Sequence, residues 1–190
     1  MKKHCYIFIG PSGSGKTTLA SHVFSEDQKI ISYTTRPIRK GEQNQKDYYF
    51  VSNEQFEQMI QADSFAEYDI YGDFYYGVTK ETLEEKLATD NCYDVLTSTG
   101  FWTLYKKYGQ QIVPIFLTIS KKTMIERLHL RNEKKAELDK RIALFEEDLK
   151  NKKDLLTIPA AIFLDAEKPL NELKTTLLST INTQQKETRR

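Results

Sequence analysis

Short apolar runs recur at residues 5–9, 93–96, 112–119 and 161–164, rich in β-branched or aromatic side chains. Runs of that length, bounded by polar turns, read as buried strands. Between them the apolar positions fall at helical spacing, which predicts crossover helices flanking a parallel sheet, an α/β fold. Helix starts are legible too. Ser52 followed by Gln55 makes a capping box ahead of Phe56, Met59 and Ile60. Thr79 caps a helix over residues 80–87, and Ser120 caps one that presents Met124, Ile125 and Leu128.

Residues 32–79 break this rhythm: Tyr, Gln, Asp and Glu dominate, with short candidate strands such as residues 48–51 and one small helix. This stretch reads as an inserted lobe. Residues 133–153 are dense in charge, yet Leu138, Ile142, Phe145 and Leu149 recur at helical spacing, predicting a loosely docked helix with a narrow apolar stripe. Residues 184–190 lack apolar periodicity and are expected to fray. The organisation expected is one domain over residues 1–190. Its core comprises residues 1–31, 80–125 and 155–183, with a lobe at 32–79 and a helical lid at 126–154.

Composition supports a folded core and narrows the partners. Of 190 residues, 39% are apolar and 12% aromatic, and 28 Lys plus Arg nearly cancel 27 Asp plus Glu. A net charge of +1 gives no field for steering onto nucleic acid or an anionic bilayer, so an anion site must be built locally. Cys5 and Cys92 are far apart and lack C-x-x-C spacing, which reads as two buried thiols. His4, His22 and His129 show no metal-ligand spacing, and Trp102 with Phe101, Tyr105 and Tyr108 reads as core and helix-face packing. The apolar run at residues 5–9 is too short for a secretory leader, and none approaches the ~20 residues that span a bilayer, so a cytoplasmic location is expected.

The chemistry begins after the first strand. Gly10-Pro11-Ser12-Gly13-Ser14-Gly15-Lys16-Thr17 joins a strand to a helix and fits the spacing G-x-x-x-x-G-K-S/T of the Walker A loop. In such a loop backbone N–H groups turn inward around phosphates, the helix N-terminus adds positive potential, and Lys16 reaches the outer phosphates. The Thr17 hydroxyl is the metal ligand, toward Mg²⁺. A grip of this kind serves NTPases, motors and small-molecule kinases alike.

A second anion site is needed to choose among them. Arg36 and Arg39, three apart, precede a tyrosine-rich stretch from Tyr48, and guanidinium forks with a phenol suit a phosphoryl group. An exposed basic turn neutralised by Glu42 and Asp47 is equally compatible with these residues.

The loop at residues 10–17, Ser32-x-x-Thr35-Arg36-x-x-Arg39-x-Gly41-Glu42, Lys46-Asp47-Tyr48, and Phe65-x-Glu67 followed by Tyr75-Tyr76-Gly77 together resemble guanylate kinase. The order holds without a gap from about residue 6 to residue 77, then thins to fold-level similarity. The resemblance implies a P-loop kinase fold. It implies that Ser32, Arg36, Arg39, Tyr48 and Tyr76 hold the acceptor's phosphate and its surroundings. Glu67 would accept from the guanine N1–H and N2–H donors. Lys16, Arg39 and the lid arginines Arg131 and Arg141 would neutralise the transferring phosphoryl, with Arg127 a substitute for Arg141.

Departures fall on base recognition and on acidic positions. Val78 stands where the resemblance puts a Ser or Thr hydroxyl. Alignment on Gly100 sets Val95 and Thr97 against two aspartates, and two-residue alternation turns Asp94 to the other face, so the strand's carboxylate is expected to be missing. Gln45 replaces a glycine. Two functions follow. One is an ATP- and Mg²⁺-dependent nucleoside-monophosphate kinase acting on GMP, or on another phosphorylated acceptor, with no nucleic-acid or membrane partner. The other is a nucleotide-binding interaction module with weak turnover.

Overall fold

The computed structural model describes residues 3–130 and 135–187. Its elements run β1 (Cys5–Ile9), α1 (Lys16–Val23), β2 (Tyr33–Thr34), β3 (Tyr49–Phe50), α2 (Asn53–Gln61), β4 (Phe65–Tyr71), β5 (Phe74–Thr79), α3 (Lys80–Thr89), β6 (Cys92–Val95), α4 (Ser98–Tyr108), β7 (Ile112–Thr118), α5 (Lys121–His129), α6 (Lys135–Leu155), β8 (Ile162–Asp165) and α7 (Leu170–Glu187). Two four-stranded sheets result, in the orders β6, β1, β7, β8 and β3, β2, β5, β4. The four apolar runs are the strands of the first sheet, within a residue or two of their expected ends, and the α/β expectation holds. No helix among the described residues is long and apolar enough to cross a membrane.

The chain divides into two compact units, residues 1–6 with 26–112, and residues 7–25 with 113–190. The first holds the tyrosine-rich lobe together with α3, β6 and α4, so residues 80–112 group with the lobe.

In that unit the sheet of β2 to β5 has two unlike faces. Tyr33, Tyr49, Tyr75 and Phe65 lie on one, where Phe56 of α2 stacks on Phe65 at 4.4 Å and on Tyr75 at 5.0 Å between ring centroids. Phe56 reaches them because the Ser52–Gln55 capping box, formed as expected, fixes where α2 starts. Its complete burial contributes about 2–3 kcal/mol. The register shifts between Phe65 and Glu67. That bulge sends Phe65 to the aromatic face and frees Glu67 to point to the other. Antiparallel pairing of Glu67 with Val78 and of Asp69 with Tyr76 then gathers those four side chains on the second face.

A tight turn before β3 explains one departure noted in the sequence. Gln45 adopts φ 67°, its N–H donating to the Tyr48 carbonyl at 2.8 Å, while Gln43 binds the Asp47 side chain and amide. A side chain in this left-handed region costs about 1–2 kcal/mol relative to glycine. Gln45→Gly is therefore expected to stabilise the protein by about 0.5–1 kcal/mol once glycine's extra unfolded-state entropy is subtracted. Urea unfolding checks this, and a lower midpoint for the variant would contradict it.

In the second unit β7 is buried along its length except at Thr118, and pairs in parallel with β8 from Ile115 opposite Ile162 onward. Pro114 precedes that ladder, so its missing N–H interrupts nothing there. Leu173, Leu177 and Ile181, four apart on α7, are buried, and α7 packs against α1. The expectation that the chain frays from residue 184 is corrected: α7 continues to Glu187, and Gln184 donates to the Ala160 carbonyl at 3.1 Å.

Candidate functional site

The loop from Gly10 to Thr17 is built by steric demand. At Gly10, φ is 134° and a β-carbon would sit 2.4 Å from the Leu117 carbonyl oxygen, so β7 passes too close for any other residue. Gly13 and Gly15 continue the turn at φ 75° and 85°, and Gly15 caps α1 without a side chain, leaving the helix's N-terminal amides facing outward. Lys16 Nζ donates to the carbonyls of Gly10 at 2.6 Å and Pro11 at 2.9 Å, closing the loop on itself. Ser14 Oγ is buried and has no hydrogen-bond partner among the described residues, the mark of a polar group placed for a ligand. Thr17, on the first turn of α1, presents its hydroxyl at an exposed position.

Two arginines of the same unit reach this loop. Arg141 on α6 donates to Ser12 Oγ at 2.9 Å. Arg127 on α5 donates to the carbonyls of Gly13 at 3.4 Å and Ala166 at 2.8 Å. One helical face of α6 carries Leu138, Arg141, Phe145 and Asp148, of which Leu138 and Phe145 are buried. The stripe read from sequence therefore seats the helix on its unit. Asp148, which the sequence reading passed over, is pushed up to about 6 by burial, opposed by the Lys16 ammonium. Arg131 lies outside the described residues.

In the other unit the acceptor residues named from sequence form a connected cluster, Arg39 excepted. Arg36 is 6% exposed and its guanidinium forks onto Glu42, at 2.8 Å to Oε1 and 3.0 Å to Oε2. It also lies over the rings of Tyr48 and Phe50, 5.5 Å and 5.7 Å from their centroids. Tyr48 in turn meets Tyr76 edge to face at 6.0 Å. Glu42 thus aims Arg36 and pins the turn by accepting the Arg39 amide at 2.8 Å, while the Arg39 side chain stays exposed. Burial, then the charge of Asp94, raises the Tyr48 phenol well above its ordinary range, so it remains a hydrogen-bond donor.

Ser32 corrects the expectation of a missing carboxylate. Its hydroxyl donates to Asp94, which is buried and also accepts the Val95 amide at 2.7 Å. Asp94 therefore joins the Ser32 side of the cluster. β6 ends at Val95, so strand alternation separates Asp94 from Val95 but does not reach Thr97, whose side chain accepts the Gly100 amide at 3.0 Å as the N-cap of α4. Burial pushes Asp94 up to about 6, opposed by the Ser32 hydroxyl, the Val95 amide and the Lys29 charge.

Glu67 sits against Gly100, where a β-carbon would come within 2.6 Å of its Oε2. It is 3% exposed, and Oε1 has no partner among the described residues. Burial, then the charges of Asp94 and Asp69, pushes its carboxyl up to about 8, with the Val78 amide and Lys107 pulling the other way. Val78 is fully buried and brings no side-chain donor. Thr79 does not replace it: its hydroxyl caps α3, accepting the Thr82 amide at 3.3 Å.

The sequence model of one family, described as guanylate kinase, matches residues 2–179. A guanylate kinase of Novosphingobium aromaticivorans is 40% identical over 119 residues, covering 59% of this chain and 52% of that protein. One of Wigglesworthia glossinidia brevipalpis is 32% identical over 190 residues, covering 94% and 89%. The chain spans about half the length of most of the curated relatives it matches, for example 52%, 42% and 43%. Among solved structures, guanylate kinase from Anaplasma phagocytophilum superposes with a TM-score of 0.72 at 21% identity, over 97% of this chain and 87% of that one.

Proposed function

The chain belongs to the guanylate kinase family, and from that premise we propose that it transfers the γ-phosphoryl group of ATP to GMP, giving ADP and GDP. The observation that carries the choice of acceptor is the buried Glu67 carboxyl, with one oxygen lacking a partner among the described residues. Such a group costs about 1–3 kcal/mol unless a ligand donates to it. Guanine offers N1–H and N2–H side by side, and a carboxylate accepts both.

In this reading the acceptor's phosphate is held by Arg36, whose fork is already oriented by Glu42, by Arg39, and by the Tyr48 and Tyr76 phenols. ATP binds the loop from Gly10 to Thr17, with Lys16 on the outer phosphates. An oxygen of GMP attacks the γ-phosphorus in line as the bond to the β-phosphate oxygen breaks, and no covalent enzyme intermediate is needed. Lys16 and the lid arginines Arg131 and Arg141 balance charge on the transferring group. Mg²⁺ fits the donor set at the loop, where the Thr17 hydroxyl and the buried Ser14 Oγ are oxygen ligands of the kind it takes. When bound with the nucleotide it neutralises charge on the β- and γ-oxygens.

The test is ADP formation with ATP, Mg²⁺ and a panel of GMP, IMP, AMP, CMP and UMP. Turnover is expected with GMP above all others. Highest turnover with a monophosphate lacking guanine's donors would overturn the acceptor, and ATP binding without turnover on any would leave the interaction-module reading standing.

A further inference from the structure

The face of the lobe sheet that carries Glu67 carries a second carboxylate, Asp69, two residues along the same strand. It is half-buried, and both its oxygens are positioned: Oδ2 accepts from the Thr97 hydroxyl at 2.6 Å and Oδ1 from the Ile70 amide at 2.8 Å. Thr97 is itself fixed as the N-cap of α4. A carboxylate on a short side chain, held from a helix cap, does not swing away to solvent.

Two acids on one face, with a third at Asp94, repel one another, and burial sharpens the cost. Residue 69 lies on an edge strand. The unpartnered Oε1 of Glu67 is an independent sign that donors are meant to enter here. Guanine's recognition edge carries three N–H bonds: one at N1 and two on the exocyclic N2. A single carboxylate engages two of them at best, so the third requires another acceptor.

We propose that Asp69, held by Thr97, accepts the remaining N2–H of guanine and is the residue that separates a 2-aminopurine monophosphate from one lacking the 2-amino group. This rests on the reading of Glu67 given above. Thr97 stands where the resemblance places an acid, and its hydroxyl holds an acid supplied by the neighbouring strand: the carboxylate is displaced to β4 instead of lost. Asp69 is the specificity residue and Thr97 its positioning residue.

The experiment is calorimetric binding of GMP and of IMP, which differ only in the 2-amino group, to the full chain and to Asp69→Ala, Thr97→Val and Thr97→Ser, with thermal melting to confirm folding. Losing one acceptor to a buried N–H is expected to weaken GMP by roughly ten- to a hundredfold in Asp69→Ala. IMP should change by no more than about threefold, so the GMP preference collapses. Thr97→Val should reproduce part of that collapse and Thr97→Ser should restore it. An unchanged GMP to IMP ratio in folded Asp69→Ala, or an equal loss for both ligands, would overturn the inference. If Asp69→Ala does not fold, the contrast between Thr97→Val and Thr97→Ser decides, and equal ratios in those two would overturn it. Binding is read apart from turnover: tight GMP binding without ADP formation removes the kinase and leaves the ratio to judge Asp69, while a wild type that binds neither ligand overturns both.

Discussion

Lys16→Met is expected to slow phosphoryl transfer about a thousandfold while leaving the fold intact. Methionine keeps the unbranched stem and loses only the ammonium. The native contacts given up are two donations to carbonyls of the loop, Gly10 at 2.6 Å and Pro11 at 2.9 Å, which a half-exposed loop recovers with water. The catalytic loss is larger. Transfer between two anionic phosphates is limited by charge, and a cation fixed on the outer phosphates stabilises the transition state more than the ground state. Removing one such preorganised group typically costs 10²–10³-fold, and here kcat should fall by about 10³-fold, equivalent to about 4 kcal/mol. Steady-state ADP release measures it, with melting temperature as the control. A folded variant within tenfold of wild-type kcat would remove Lys16 from the chemistry.

The second large effect is expected at Glu67. Because burial holds its proton on up to about pH 8, glutamine closely imitates the native uncharged group, and Glu67→Gln should fold. It should bind GMP about 10²–10³-fold more weakly, since the amide turns a donor toward guanine donors and the charge-assisted pair is lost. The same carboxyl sets a pH dependence whose sign is fixed. Guanine's N–H groups select the ionised form, whereas the unliganded carboxyl is protonated below about pH 8. Binding therefore expels a proton, and affinity rises with pH. Between pH 7 and pH 9, above the phosphate's own second ionisation near 6, the ionised fraction grows about tenfold, and GMP affinity should grow with it. Calorimetry across that range checks this. Glu67→Gln should be flat there, and a wild-type affinity that is flat or falls with rising pH would contradict the assignment.

What could be read in advance divides by how local the information is. The strand, the Gly10–Thr17 spacing and the following helix are contiguous, so the strand–loop–helix geometry was legible from eight residues and their flanks. Residue chemistry offered Arg36 and Tyr48 as a phosphoryl site no more strongly than as an exposed basic turn, and Tyr76 came through resemblance alone, because nothing in sequence says that β2, β3 and β5 lie side by side. Glu42 as the partner that aims Arg36 was first read as a neutralising charge, which it also is. Asp94 was not placed beside Ser32 because alternation sets it opposite Val95 without saying which element each face meets, and Thr97, beyond the end of β6, belongs to a helix cap instead of the strand. Asp69 carried a signal that went unused: it falls two residues after Glu67, and in a strand that spacing puts both on one face. The half-buried acid Asp148 was hidden by charge-rich neighbours on α6, where composition suggested a solvated surface. Gln45 was marked as a departure, but its positive φ needed coordinates.

Both grips, the loop around Lys16 and the Arg36 cluster, matter to catalysis only if one phosphorus passes from the first ligand to the second. ATP labelled in its γ-phosphate, incubated with Mg²⁺, GMP and the full chain, tests this directly when the products are separated. The expected result is label in GDP, one molecule for each ADP formed, appearing about 10³-fold more slowly when Lys16 is methionine. Label appearing only as inorganic phosphate, or no ADP at all while both nucleotides bind, would contradict it.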